Sequence, residues 1–283
     1  VVRSGPMAMA GSRHCHLLRP PPSPRLFGTL LLAMAVSGRA AVDLLAGLEK
    51  TYADAGLITS MQLEVKGVQA PVHMLVAGPP DSQKLVLLLH GAAFSSRTWQ
   101  LTGTIDALAM VGLRVIAVDL PGYAEAKSGS MKQSTEERRE FVPRLLAALN
   151  CKAKVLIVAA SMGGSYGSPF VLSHPEQVSG YVSISAVLDT VDGRAPGLAL
   201  ASSVPTLLVW GEKDAPASPK AREQEALFRT ATKVVIPDAP HPAYLKEPAL
   251  FNTLLVIFAG SPVPFPAGTA DWAALPTTLR AKW

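Results

Sequence analysis

The chain of 283 residues is 49% hydrophobic and 17% charged, enough apolar material for one large core with strands buried on both faces. Its net charge of +5 traces to the N-terminal stretch, where residues 1–42 hold Arg3, Arg13, Arg19, Arg25 and Arg39 and no acidic residue. Without those five, the 26 basic residues fall to 21 and equal the 21 acidic ones, so the rest of the chain is balanced and nucleic acid is excluded as a partner.

In chain order, that arginine-rich stretch comes first and reads as a targeting or anchoring segment rather than as fold. Residues 26–36 are an apolar run flanked by arginine and followed by Ser37-Gly38-Arg39-Ala40-Ala41. A membrane span needs about 20 apolar residues, so the shorter run fits a signal-peptide core, and the acid-free composition fits an organellar transit peptide equally. Membrane contact is expected only if the segment is retained as an anchor. The chain begins with Val1, and its natural start is expected upstream. Of the two cysteines, Cys15 lies in this stretch and Cys151 ahead of a strand, which leaves no disulfide framework.

Apolar runs between turn signals predict strands at 61–67 and 71–77, forming an antiparallel edge. Further strands are expected at 85–90, 114–119, 154–160, 180–187, 204–210 and 233–237. Helices are expected at 98–111, 134–149, 163–173, 217–229 and 244–258. Strands alternating with helices from residue 85 onward predict an α/β domain, a mostly parallel sheet with helices on both faces and right-handed crossovers. The domain is expected over 60–260. Beyond it, 261–283, with Pro262, Pro264, Pro266 and Pro276, reads as a Pro-rich C-terminal extension. No metal-ligand spacing such as His-x-x-x-His occurs, so neither a metal nor a bound cofactor is expected.

The chemistry is carried by four short segments. The apolar run 154–159 ends in Ala160-Ser161-Met162-Gly163-Gly164, with small residues two before and two after the serine. That pattern is a nucleophile elbow, a strand-to-helix turn too tight for side chains at its flanks, which lifts the serine Oγ clear of the sheet. Leu85-Val-Leu-Leu-Leu-His90-Gly91-Ala92-Ala93-Phe94 is a buried strand entering a His-Gly turn. It resembles the oxyanion turn of α/β-hydrolases, whose amide donors would here be the N–H groups of Ala92 and Met162. His90 itself is expected to brace the turn. The strand 204–210 closes in Gly211-Glu212-Lys213-Asp214, and 233–237 leads to Asp238-Ala239-Pro240-His241.

The order Ser161, Asp214, His241 along the chain is that of the α/β-hydrolase triad. Elimination singles out His241. His14 and His16 lie in the N-terminal stretch, His73 in an early strand and His90 in the turn, while His174 ends the helix begun at Ser161, about 18 Å away at 1.5 Å per residue. For the acid, Asp214 closes the strand just before the histidine-bearing one, but Asp189 and Asp192, after the strand 180–187, remain alternatives. Asp119, in Val118-Asp119-Leu120-Pro121-Gly122, is expected to shape the turn after its strand. Only residues 188–203 separate two strands where a lid would be inserted, too few for several helices. The site is therefore expected to be open, with residues 192–197 as a candidate roof, and to take short acyl groups.

Several segments are similar to the α/β-hydrolase domain-containing protein 14 subfamily: Leu89-His90-Gly91-Ala92-Ala93-Phe94-Ser95-Ser96-Arg97-Thr98-Trp99-Gln100, Ala117-Val118-Asp119-Leu120-Pro121-Gly122, Tyr166-Gly167-Ser168-Pro169-Phe170 and His241-Pro242-Ala243-Tyr244-Leu245-Lys246-Glu247-Pro248. The resemblance covers roughly residues 61–259 and implies an α/β-hydrolase fold, and the short interval 188–203 leaves that fold without a large lid domain. The family's serine, aspartate and histidine fall on Ser161, Asp214 and His241. Ala93, Phe94, Tyr166 and Tyr244 are candidate pocket residues. The chain departs from the family around the nucleophile, with Ala159-Ala160-Ser161-Met162-Gly163-Gly164, and before the histidine, with Asp238-Ala239-Pro240. Two readings stand. One is a serine hydrolase of small esters, thioesters or acyl amides; for relatives the resemblance implies lysine deacetylation and acyl transfer to coenzyme A. The other is a ligand- or partner-binding protein on a hydrolase scaffold with little turnover. The first implies a small-molecule acyl substrate as partner.

Overall fold

The computed structural model describes residues 58–123, 133–190, 203–216 and 218–260, together with the backbone of Gly268–Asp271. Nine strands form one sheet: β1 Thr59–Leu63, β2 Val72–Ala77, β3 Leu85–Leu89, β4 Arg114–Val118, β5 Val155–Ala160, β6 Val178–Ile184, β7 Thr206–Gly211, β8 Ala231–Ile236 and β9 Gly268–Asp271. They lie in the order β1-β2-β4-β3-β5-β6-β7-β8-β9. The β1/β2 and β2/β4 pairs are antiparallel and the others parallel, so the first two strands are the antiparallel edge that the sequence predicts.

Helices α1 Ser96–Leu101, α2 Thr104–Met110 and α6 Pro248–Gly260 cover one face, and α3 Thr135–Ala148, α4 Gly164–Ser173 and α5 Pro219–Leu227 the other. Alternation inside β3 shows why its run is apolar throughout. Val86 and Leu88 pack with Trp99, Leu108 and Phe251, whereas Leu85, Leu87 and Leu89 pack with Phe141, Leu145 and Phe170. All five residues are buried, as a central parallel strand requires. The fold is that of an α/β-hydrolase.

Three expected elements differ. The helix expected over 98–111 starts earlier and breaks in two, because Gly103 adopts φ +69° between α1 and α2, a left-handed conformation that ends one helix and enters the next. The strand expected over 61–67 stops at Leu63, and the chain turns where the Val68 N–H bonds Val65 O at 3.0 Å and Gly67 has φ +81°. Gly268–Asp271, inside the stretch expected to be an extension, pairs parallel with β8 as the last strand. The N-terminal segment 1–42, the candidate roof 192–197 and most of 261–283 lie outside the described residues. Among the described residues no helix is long and apolar enough to cross a membrane.

The loops that follow β3, β5, β7 and β8 leave from the carboxyl ends of neighbouring parallel strands. In an open α/β sheet that edge is where ligands bind.

Candidate active site

The elbow follows β5. Ser161 has φ +47°, in the left-handed region that non-glycine residues seldom occupy, and Ser161–Gly163 form a single 3-10 turn before α4. Glycine is needed at 163, since a Cβ there would sit 2.6 Å from Leu89 O and 2.9 Å from His90 O. It is needed again at 164, where a Cβ would lie 2.2 Å from Val187 O, a requirement the small-x-Ser-x-Gly pattern does not express. The Val187 N–H donates to Ser161 O at 2.8 Å and pins the elbow to the end of β6.

The His-Gly turn lies against this elbow: a Cβ on Gly91 would be 3.4 Å from Cβ of Ser161. The Phe94 N–H closes the turn on Gly91 O at 3.0 Å. Neither the Ala92 nor the Met162 amide has an acceptor among the described residues. His90 is fully buried and braces the turn, as expected. Its Nε2 accepts the Leu120 N–H at 2.9 Å, which places the ring proton on Nδ1, and Nδ1 donates to Gly91 O at 2.8 Å. Burial lowers the pKa of this imidazole and keeps it neutral.

His241 arrives on the loop after β8. Gly211 lets that loop lie directly on the end of β7, since a Cβ there would stand 2.3 Å from Pro240 O and 2.4 Å from Ala239 O. The Lys213 N–H donates to Ala239 O at 3.0 Å, and the Asp238 N–H to Glu212 Oε2 at 2.8 Å. Asp238, at φ +55°, also bonds Lys213 and Lys246, whose ammonium groups hold its carboxyl below the ordinary carboxylate range. An aromatic stack anchors the far side of the loop. Tyr244 lies 4.8 Å from Trp99 at an interplanar angle of 24°, with Phe94 edge-on at 6.4 Å.

These supports bring together the three residues expected from the sequence. His241 Nε2 is 2.7 Å from Ser161 Oγ, and His241 Nδ1 is 2.8 Å from Asp214 Oδ2. A carboxylate only accepts, so Nδ1 carries the proton and Nε2 is left to accept the Ser161 hydroxyl proton. The His241 side chain is 47% exposed and that of Asp214 22%, so this end of the relay opens to solvent.

The competing acid Asp189 is engaged elsewhere: Arg139 Nη2 donates to its Oδ1 at 3.0 Å, and its N–H bonds Ser168 Oγ at 2.9 Å. Asp192 lies outside the described residues. Of the candidate pocket residues, Ala93 is exposed and Phe94 half-buried beside the turn. Tyr166 and Tyr244 are corrections. Tyr166 is wholly buried and meets Phe141 edge-on at 5.4 Å in the core under α3, and Tyr244 is buried in the stack with Trp99. Burial raises the pKa of both phenols. Neither their numbering nor their residue type distinguishes wall from core, because that depends on which way the helix start and the loop are rotated. Missed altogether were Gly211 as a close-approach glycine and the pairing of His73 with Asp119 at 2.9 Å. Among the described residues no cluster of three or more His, Cys, Asp or Glu could hold a metal.

The profile of the alpha/beta hydrolase family matches residues 86–201. Protein ABHD14A of Rattus norvegicus is 34% identical over 174 residues, 61% of this chain and 70% of that protein. ABHD14B of Rattus norvegicus is 32% identical over 175 residues, covering 61% and 81%. The chain spans 63% of the length of Protein ABHD14A of Danio rerio, at 34% identity. Among solved structures, a CIB-like hydrolase of Thermoplasma acidophilum aligns with TM-score 0.61 at 22% identity, over 71% of this chain and 97% of that one. The naproxen esterase of Bacillus subtilis aligns with TM-score 0.57 at 18% identity, over 74% and 95%. The chain therefore belongs to the alpha/beta hydrolase family, and within it is an ABHD14-like protein.

Proposed function

We propose that this hydrolase-family protein is a serine hydrolase that cleaves small acyl esters, thioesters or acyl amides through an acyl-enzyme. The reading rests on one observation, the unbroken chain Ser161 Oγ to His241 to Asp214 at 2.7 and 2.8 Å on a serine held at φ +47°. Ser161 attacks the acyl carbon while His241 Nε2 takes its proton, and Asp214 holds the imidazole tautomer and stabilises its cationic form. The developing oxyanion takes hydrogen bonds from the Ala92 and Met162 amides. His241 then protonates the leaving group and activates water to discharge the acyl-enzyme. The name of ABHD14B gives protein-lysine deacylation as a candidate activity, which would make an acyl amide the substrate. Coenzyme A as acyl acceptor follows from the family resemblance alone.

A fluorophosphonate probe on the purified chain tests this directly. One equivalent is expected on Ser161, and a chain that stays unlabelled would instead be the binding protein on a hydrolase scaffold. Acyl length is the next measurement. With only 21 residues, 185–205, between β6 and β7 where a lid would sit, there is little apolar area to enclose a long chain. p-Nitrophenyl acetate and butyrate are expected to turn over faster than palmitate, and the reverse order would overturn the preference for short acyl groups.

A further inference from the structure

We propose that Asp119, oriented by His73, is the positioning residue of the oxyanion turn, an inference that rests on Ala92 being an oxyanion donor as read above. The turn runs from His90 to Ser96, and two consecutive residues past the end of β4 hold its two ends. Asp119 Oδ1 accepts the Ser96 N–H at 2.7 Å, and the next residue, Leu120, donates its N–H to His90 Nε2 at 2.9 Å. Between these clamps Gly91 O receives both His90 Nδ1–H at 2.8 Å and the Phe94 N–H at 3.0 Å. Ala92 sits inside that loop of bonds, one residue from Gly91, where an added Cβ would lie 3.4 Å from Ser161 Cβ.

The Asp119 carboxylate is 2% exposed, and a buried carboxylate is costly unless both oxygens are bonded. His73 meets this need: its Nδ1 lies 2.9 Å from Asp119 Oδ2, and its Nε2 lies 2.8 Å from Ser60 Oγ. Sheet register makes the pairing. β2 and β4 are antiparallel with Met74 opposite Val118, so the next opposed pair is His73 and Asp119, and the Asp119 N–H bonds His73 O at 2.9 Å. Held at Oδ2 by the imidazole, the carboxylate cannot rotate away from Ser96. A charge-assisted bond to Oδ1 then fixes the end of the turn more firmly than a neutral acceptor would.

The test uses the full chain with Asp119→Ala, Asp119→Asn and His73→Ala, read by p-nitrophenyl acetate kinetics, by the rate of fluorophosphonate labelling and by amide hydrogen exchange. Asp119→Ala is expected to lower kcat about 10²-fold, the loss seen when one oxyanion donor is removed, with KM within about threefold. Labelling should slow in parallel, and amides of residues 91–96 should exchange faster while those of β5 do not. Asp119→Asn keeps an acceptor for the Ser96 N–H and is expected to stay within about tenfold of wild type. A folded Asp119→Ala with kcat within about threefold of wild type, or an equal loss in Asp119→Asn, overturns the proposal. If Asp119→Ala does not fold, the half-exposed His73 is truncated instead. An approximately tenfold lower kcat at constant KM is then expected, with faster exchange in 91–96, and wild-type values would overturn the proposal. If the wild-type chain neither turns over nor labels, the serine-hydrolase reading fails, and exchange in 91–96 still decides the clamp.

Discussion

Among the described residues two serine–histidine–aspartate triplets occur, and their side-chain distances almost coincide. In one, His241 bridges Ser161 at 2.7 Å and Asp214 at 2.8 Å; in the other, His73 bridges Ser60 at 2.8 Å and Asp119 at 2.9 Å. Their backbones differ. Ser161 stands at φ +47° on a strand-to-helix turn with the Ala92 and Met162 amides left unbonded, whereas Ser60 lies within edge strand β1, paired with Leu75 of β2. The aspartates differ in the opposite sense. Asp119 is buried and gives its second oxygen to the Ser96 N–H, whereas Asp214 is 22% exposed. On the function proposed above, the same three side chains would make a nucleophile where the backbone presents the serine to amide donors, and a structural brace where it does not.

Substitutions can break this comparison or sharpen it. The largest effect is expected for Ser161→Ala, which should take up no fluorophosphonate and lose about 10⁴-fold or more in kcat. Label on Ser60 in that variant, located by peptide mapping, would show that the edge-strand relay is also a nucleophile. Asp214→Asn is expected to cost about 10⁴-fold in kcat by leaving His241 in the wrong tautomer, with the fold intact by circular dichroism. Asp189→Asn, which touches Arg139 and not His241, should stay within about threefold, and a reversal of the two results would transfer the acid role. Gly211→Ala sets a Cβ 2.3 Å from Pro240 O and should push the His241 loop off β7. Misplacement of about 1 Å can cost 10²-fold, so a drop of about that size in kcat is expected, and wild-type turnover would show that the loop is held by other contacts. The smallest effect belongs to Ser60→Ala, an exposed site, where turnover and melting temperature should barely move, within about twofold in rate.

Much of this site was legible in the sequence because its signals are local. A strand that stops at a serine between small residues, a His-Gly after an apolar run, and a Gly-x-x-Asp one strand before a histidine are each written within a few neighbours. The remaining features depended on partners far along the chain. Asp189 could be set aside only by seeing Arg139 on its carboxylate, 50 residues away. His73 and Asp119 are 46 residues apart and meet through an antiparallel register that neither strand announces. Tyr166 and Tyr244 carry the composition of pocket residues, yet both are buried in the core, on opposite faces of the sheet.

What the sequence determined by itself is the alternation of buried strands and helices, the order of serine, aspartate and histidine, and the glycine two residues after Ser161, because periodicity and local sterics act between near neighbours. Tertiary structure alone decided which carboxylate faces His241, why Gly211 cannot carry a side chain, and that Gly268–Asp271 completes the sheet. Each of these depends on which surfaces packing brings within a few ångströms, and a one-dimensional pattern does not encode that proximity.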